Sequence, residues 1–149
     1  MSKLTRRRAV RVLASWVVLC CSAPLIVAAG EVSPLAIKGY DPVAYFTVGK
    51  PVRGLPQFEH QWDEHKYRFS NADHKAKFIA DPIRYAPHFA HLCAMALSPG
   101  SVVEADPKNW LVKEGKLFLF GKPIGPDLFE KDYAENLEKA RRNRQLVNK

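Results

Sequence analysis

The spacing of apolar and polar residues predicts a small α+β domain. Residues 58–62 and 67–69 alternate apolar and polar positions, which is typical of half-buried strands, and a polar turn between them predicts a first β-hairpin. Residues 110–113 and 116–120 flank a Glu-Gly pair, where glycine allows the positive φ of a tight turn, and predict a second hairpin. We expect one domain in which the two hairpins pack with a central helix and a C-terminal helix.

The central helix has clear start and stop signals. Ser70 followed by Asp73 has the spacing of an N-cap pair, in which both side chains satisfy backbone N–H groups of the first turn. Asp81 and Pro82 end this helix and open a second, short helical turn with proline at its first position. The apolar face is predicted from residues at helical spacing, namely Ala72, Ala76, Ile79 and Ala80.

The C-terminal helix is predicted from an apolar stripe. Asp127 and Glu130 resemble a capping box at its start. Its buried face is predicted from residues spaced by three or four positions, namely Phe129, Tyr133, Leu137 and Ala140.

Three shorter segments complete the local predictions. Residues 37–40 are expected to be extended, and residues 41–46 to form a short helical turn that begins with Asp41 and Pro42. Residues 106–109 are expected to form a turn because they again begin with Asp-Pro. The aspartates that precede proline at positions 41, 81 and 106 are therefore interpreted as caps and turn-formers.

The N-terminus predicts export. Residues 3–11 are basic, residues 12–29 carry no charge, and Val27-Ala28-Ala29 offers small residues for cleavage before Gly30, which together are typical of a signal peptide over residues 1–29. The Thr-Arg-Arg-Arg start also resembles a twin-arginine signal. An uncleaved membrane anchor is the alternative, since eighteen uncharged residues just suffice to span a bilayer. Cleavage would place the domain in the periplasm or outside the cell.

The charge balance argues against nucleic-acid binding. The chain has 23 basic and 15 acidic side chains, a formal net charge of +8, and five of the basic ones lie in residues 1–29 with no acid. The remaining 18 basic side chains exceed the 15 acidic ones by three. Arg141, Arg142 and Arg144 form one short basic patch, which is interpreted as a solvated helix face.

A series of short motifs resembles the YHS domain family, in its exported bacterial branch. In order along the chain they are residues 39–46, 67–70, 78–87, 93–94, 106–110 and 115–117. The resemblance extends from about Ile37 to Ala140, so a YHS-like domain is predicted over residues 37–147. It implies a small α+β domain, often exported, of no established biochemical role and with a link to metal handling.

The resemblance departs from the family at the positions that would hold a metal. The metal-associated members have cysteines where this chain has Ala44, Ser70 and His74. The exported branch has a Tyr-Gly-Gly-Tyr-Cys-like run where this chain has residues 89–93, so that His91 replaces a glycine. His91 is therefore either a neutral surface change or an added ligand.

Side chains that can bind a metal ion lie close together in one segment of the sequence. His88, His91 and Cys93 together predict a three-ligand site for Cu(I) or Zn(II), since both ions accept imidazole and thiolate, and His74 is a further candidate ligand. The alternative is that Cys93 is a small buried apolar residue, and that His74, like His60 and His65, is exposed. Catalysis is not expected, because no nucleophile with an orienting base is visible.

Two functions follow from the sequence. The first is a non-enzymatic envelope protein that binds a small ligand or a transition metal of the copper or zinc type. The second is a protein-interaction module with no ligand, which docks an unknown envelope partner through aromatic residues. The aromatic side chains are otherwise expected to form the core of the domain, with a ligand pocket as the alternative. The set consists of Tyr40, Tyr45, Phe46, Trp62, Tyr67, Tyr85, Phe89 and Trp110.

Overall fold

The computed structural model describes residues 33–147, so the predicted signal peptide over residues 1–29 lies outside the described part. The strands are β1 (Leu55–Trp62), β2 (His65–Phe69), β3 (Asp106–Lys113) and β4 (Lys116–Phe120). The helices are α1 (Ala44–Thr47), α2 (Ala72–Ala80), α3 (Pro82–Tyr85), α4 (Ala94–Leu97), α5 (Gly125–Lys131) and α6 (Tyr133–Val147). This is a small α+β domain, as predicted.

Both predicted hairpins are present, and each forms its own antiparallel two-stranded sheet. β1 and β2 are joined by Asp63 and Glu64, with φ of 45° and 59°. β3 and β4 are joined by Glu114 and Gly115, with φ of 51° and 71°. Positive φ at both central residues gives the type I′ turn, whose twist matches that of the flanking strands.

Strand β4 separates two hydrophobic cores. Its side chains alternate between faces, as in any β-strand, so that Leu117 and Leu119 enter one core while Phe118 and Phe120 enter the other. The first core also contains Val43, Tyr45, Tyr67, Phe69 and Phe78. The second also contains Phe89, Leu92, Cys93, Leu97, Phe129, Leu137 and Ala140. A strand that is buried on both faces thus connects the first hairpin to the C-terminal helices.

The predicted cap and apolar face of α2 are both wrong. The N-cap is Asn71, whose side chain accepts a hydrogen bond from the His74 N–H, because Ser70 is held elsewhere. The predicted face is exposed, with Ile79 49% accessible. The buried positions are His74 and Phe78. The helix is oriented by the aromatic side chain of Phe78, which contacts the rings of both strands of the first hairpin, rather than by its alanines.

The predicted C-terminal stripe is buried, but it lies on two helices. Asp132 has non-helical backbone angles and separates α5 from α6. The predicted capping box at Asp127 and Glu130 is wrong, since α5 begins earlier, with Ile124 as an N-cap that makes no side-chain bond. Phe129 and Leu137 are nevertheless both buried, because both helices pack on the second core.

Two of the short predictions are corrected as well. Residues 37–40 are not extended, since Ala36–Gly39 forms a 3-10 turn with positive φ at Ile37 and Lys38. Residues 106–109 are not a turn but the start of β3, where the register shifts before Trp110. No helix within residues 33–147 is long and apolar enough to span a membrane.

Candidate functional site

Cys93 lies at the start of α4 and is buried, with 6% of its surface accessible. Its backbone N–H donates to the Val103 carbonyl at 2.8 Å. Its Sγ accepts a hydrogen bond from the Ala96 N–H at 3.4 Å, so the side chain acts as the N-cap of this short helix. The thiol therefore has a structural partner within its own segment.

The predicted metal ligands do not meet in one site. Within residues 33–147 no group of three or more His, Cys, Asp or Glu side chains is placed to hold a metal ion. His88 packs against the ring of Phe118, and its Nε2 accepts a bond from Arg141 Nε at 3.4 Å. Burial, Arg141 and Lys116 together lower the pKa of His88 to about 4.

His74 is buried rather than exposed, and it belongs to a polar network around Asp41. Asp41 is fully buried, and its Oδ1 accepts bonds from the N–H groups of Val43 and Ala44 at 2.9 and 3.3 Å. Its Oδ2 accepts from the Ser70 N–H, the Ser70 hydroxyl and His74 Nδ1, at 2.8, 2.7 and 2.6 Å. The network ties the start of α1 to the corner between β2 and α2.

The same network includes a hydroxyl. His74 Nε2 lies 3.1 Å from Thr47 Oγ1, which gives the order carboxylate, imidazole and hydroxyl that activated nucleophiles use. The Thr47 hydroxyl also lies 3.1 Å from the Val43 carbonyl of its own helix and donates a bond to it. This bond holds the hydroxyl against the helix backbone, so we interpret the network as structural.

The aromatic side chains form core rather than a docking surface. Tyr40, Tyr45, Tyr67 and Phe89 are at most 8% accessible. The remaining candidates, Phe46, Trp62, Tyr85 and Trp110, are partly buried and pack against the first core. The predicted core role of these residues is confirmed, and none of these eight side chains is fully exposed.

An apolar cleft of about 340 Å³ lies beside Cys93, between α4, α5 and the segments that precede β3 and follow β4. Its walls are apolar and include Cys93, Met95, Val103, Ile124 and Leu128. Several of these side chains remain accessible, with Ile124 at 53%, Leu128 at 47% and Val103 at 44%. Apolar walls of this extent, open to solvent, are typical of a binding site.

One cation lies at this cleft. Lys122 is the charged residue among the described residues that line it. It is exposed, and its ammonium group makes no ion pair within residues 33–147. The cleft thus combines an apolar interior with a single positive charge, which suits a molecule with an apolar chain and an anionic end.

A second place of interest is the pair His65 and His91. Their ring centres are 5.9 Å apart, and both line a small cavity of about 10 Å³. His65 Nδ1 donates to the Asp63 carbonyl at 2.9 Å. Burial lowers the pKa of His91, and the nearby His65 and Arg144 lower it further, while Glu104 raises it.

Sequence reasoning missed the cleft and the histidine pair for different reasons. The cleft is formed by segments that lie apart along the chain, so no local pattern marks it. His65 comes just after the first turn and His91 lies two residues before Cys93, but no spacing along the chain relates the two histidines. An isoleucine at position 124, inside a Pro- and Gly-rich stretch, is a sequence signal that could have suggested an apolar surface here.

Comparison with known proteins adds no relative: no family model matches the chain, and neither a curated protein nor a solved structure is similar to it. The resemblance to the YHS family therefore stays a prediction. The function has to be argued from the geometry of the chain itself.

Proposed function

We propose that this chain is an exported, non-enzymatic binding module that takes a small amphipathic ligand, an alkyl chain with an anionic head group. The observation that carries the proposal is the apolar cleft with Lys122 at its side. Export is inferred from the signal-peptide pattern of residues 1–29. The non-enzymatic role is supported by the hydrogen bond that holds the Thr47 hydroxyl, the nucleophile candidate, against its own helix.

The size of the cleft limits the length of the chain that it can hold. A methylene group fills a volume similar to that of a water molecule in the liquid, which is ~30 Å³. A volume of about 340 Å³ therefore accommodates a chain of roughly ten carbons. Each buried methylene contributes about 0.8 kcal/mol, which corresponds to about a fourfold gain in affinity.

The charge of Lys122 selects the head group. An ammonium group that is exposed and has no carboxylate partner within residues 33–147 gains from a ligand anion without first losing another ion pair in that part of the chain. Because the lysine is exposed, this attraction is modest and screened by salt. We therefore expect carboxylates to bind a few-fold more tightly than alcohols of equal length, and the difference to shrink at high ionic strength.

The proposal is tested by displacing a fluorescent fatty acid with saturated carboxylates of six to fourteen carbons. Affinity should rise about fourfold per carbon and level off near ten carbons. Ile124→Asp should abolish the rise, while Ile83→Asp should leave it intact, because Ile83 is 83% accessible and lies outside the cleft. Lys122→Gln should remove the preference for carboxylates over alcohols but keep the dependence on length.

Two outcomes would contradict the proposal. One is the absence of binding at every chain length by a folded protein. The other is equal binding by the variants at positions 124 and 83, which would mean that the ligand associates with apolar surface in general.

A further inference from the structure

The rings of His65 and His91 come from distant parts of the chain. His65 is the first residue of β2, and His91 lies in the loop between α3 and α4. Their ring centres are 5.9 Å apart with an angle of 40° between the planes, so the rings are neither stacked nor in edge contact. Both line the small cavity, together with Ala36, Ile37, Tyr67 and Ala90.

The nitrogen atoms of this pair are free to act as ligands. The Asp63 carbonyl can only accept, so His65 Nδ1 carries the proton and Nε2 presents a lone pair. Neither His65 Nε2 nor a ring nitrogen of His91 has a hydrogen-bond partner among residues 33–147. A backbone carbonyl that fixes the tautomer of one histidine is the outer-shell arrangement found at metal-bound imidazoles.

The backbone around the pair is unusual. Ile37 and Ala90 line the cavity with φ of 40° and 55°, although neither is glycine. A β-branched residue such as isoleucine rarely adopts positive φ, and each such position costs about 1–3 kcal/mol. Strain of this kind concentrates at functional sites, where the surrounding structure maintains it.

We propose that His65 and His91 bind a divalent transition-metal ion of the kind that prefers imidazole, such as Zn(II) or Cu(II), with solvent at the remaining positions. With metal–nitrogen bonds of about 2.0–2.1 Å, two imidazole ring centres on one ion lie roughly 5–6 Å apart. The observed 5.9 Å fits this spacing. A cavity of about 10 Å³ is close to the size that a single water molecule or ion requires.

The charges around His91 act in two directions. Burial, His65 and Arg144 lower the pKa of His91, which favours the neutral ring that binds metal, while the positive charge of Arg144 also opposes a bound cation. Glu104 is the acidic residue that acts on His91, and it is paired with Lys38 at 3.3 Å. His65 and His91 line no part of the apolar cleft, so the two sites can be tested independently.

The test uses the full chain and Zn(II), measured by competition with a colorimetric chelator. His91→Ala and His65→Asn should each weaken binding by roughly 10- to 100-fold, since loss of a ligand weakens binding at least as much as loss of an outer-shell partner. Asparagine retains an N–H donor for the Asp63 carbonyl, so His65→Asn protects the fold while removing the lone pair. His60→Gln is the control, because His60 lies on β1 in contact with Phe78 and away from the cavity.

Comparison of the double variant, His65→Asn with His91→Ala, with the single variants distinguishes one metal site shared by both histidines from two unrelated sites. If both rings bind one ion, each single variant should lose the site of parent affinity completely, and the double variant should bind little more weakly than the weaker single variant. If the rings belonged to two unrelated sites, each single variant would keep parent affinity with half the number of bound ions, which would overturn the proposal. Parent affinity in either single variant, or an equal loss in His60→Gln, would overturn it as well. The cysteines are unchanged in every variant, so any zinc that they hold cancels in the comparison.

Discussion

The carboxylate of Asp41 is expected to be the most important polar group for the stability of the fold. It is fully buried and accepts five hydrogen bonds, from the backbone N–H groups of Val43, Ala44 and Ser70 and from the side chains of Ser70 and His74. Asp41→Ala removes all five acceptor contacts and leaves their donors in the protein interior.

The size of the effect follows from these contacts. Ser70 Oγ lies 3.3 Å from His74 Nδ1, so these two side chains can bond to each other after the substitution. The three backbone N–H groups cannot, and each buried unpaired donor costs about 1–3 kcal/mol. A water molecule in the new space recovers part of this, while removal of a buried charge recovers its desolvation penalty. We expect a net loss of about 3–5 kcal/mol, a large fraction of the ~5–15 kcal/mol of a typical domain.

Urea denaturation followed by circular dichroism measures this loss, and the chain contains matched controls. Asp81 and Asp106 also precede proline, but their carboxylates are not fully buried and each accepts one bond, from the Arg84 and Lys108 N–H groups. Asp81→Ala should cost about 1 kcal/mol, as expected for an N-cap. Asp106→Ala should cost no more.

A loss below about 1.5 kcal/mol for Asp41→Ala, or a loss equal to that of Asp81→Ala, would refute the reasoning. The first result would mean that the donors find other partners or water at little cost. The second would mean that the burial of Asp41 and its tertiary contacts add nothing to ordinary capping.

Three further predictions concern other parts of the chain. Leu137→Asp places an unpaired carboxylate in the second core and should lower the free energy of unfolding by about 3–5 kcal/mol; coincident thermal melts of variant and parent would contradict this. The pKa of His88 is lowered from 6.5 to about 4 in the folded protein. On acidification the unfolded chain therefore takes up a proton at His88 at a higher pH than the folded protein does, and the free energy of unfolding should fall as the pH drops from 6.5 to 4. His88→Gln should reduce this fall, and identical pH profiles would show that His88 does not contribute. Mass spectrometry of envelope-derived protein should find a chain that begins near Gly30, whereas a full-length, membrane-retained chain would exclude cleavage there.

The local elements were largely predictable because their signals are local. The second hairpin follows from the Glu114-Gly115 turn between apolar runs, and Asp81 caps α3 as its Asp-Pro pair indicates. The stripe that contains Phe129 and Leu137 is buried as predicted. In these cases neighbouring residues supply both the turn geometry and the periodicity, so one sequence window contains the whole signal.

The orientation of α2 shows where local signals fail. Its alanines and Ile79 recur at helical spacing, yet its buried face contains His74 and Phe78. Phe78 contributes far more apolar area than alanine, and it is inserted among the rings of the first hairpin. His74 is buried because Asp41, 33 residues earlier, accepts a hydrogen bond from its Nδ1. A histidine can be buried when a hydrogen-bond partner is available for its ring, and the fold decides whether such a partner lies nearby.

The sequence alone determined that this chain forms a small α+β domain, where the turns of its two hairpins fall and which side chains can bind a proton or a metal. Only the tertiary structure decided which of these side chains lie near one another. Three Asp-Pro pairs look alike in sequence, but in the structure Asp41 is the centre of a buried network, Asp81 is a helix cap and Asp106 makes one local bond at the start of β3. Cys93 became a helix cap beside an apolar cleft, and His91 came to lie near His65 rather than with its sequence neighbours. These outcomes depend on contacts between segments far apart along the chain, which no periodicity or spacing within a single segment encodes.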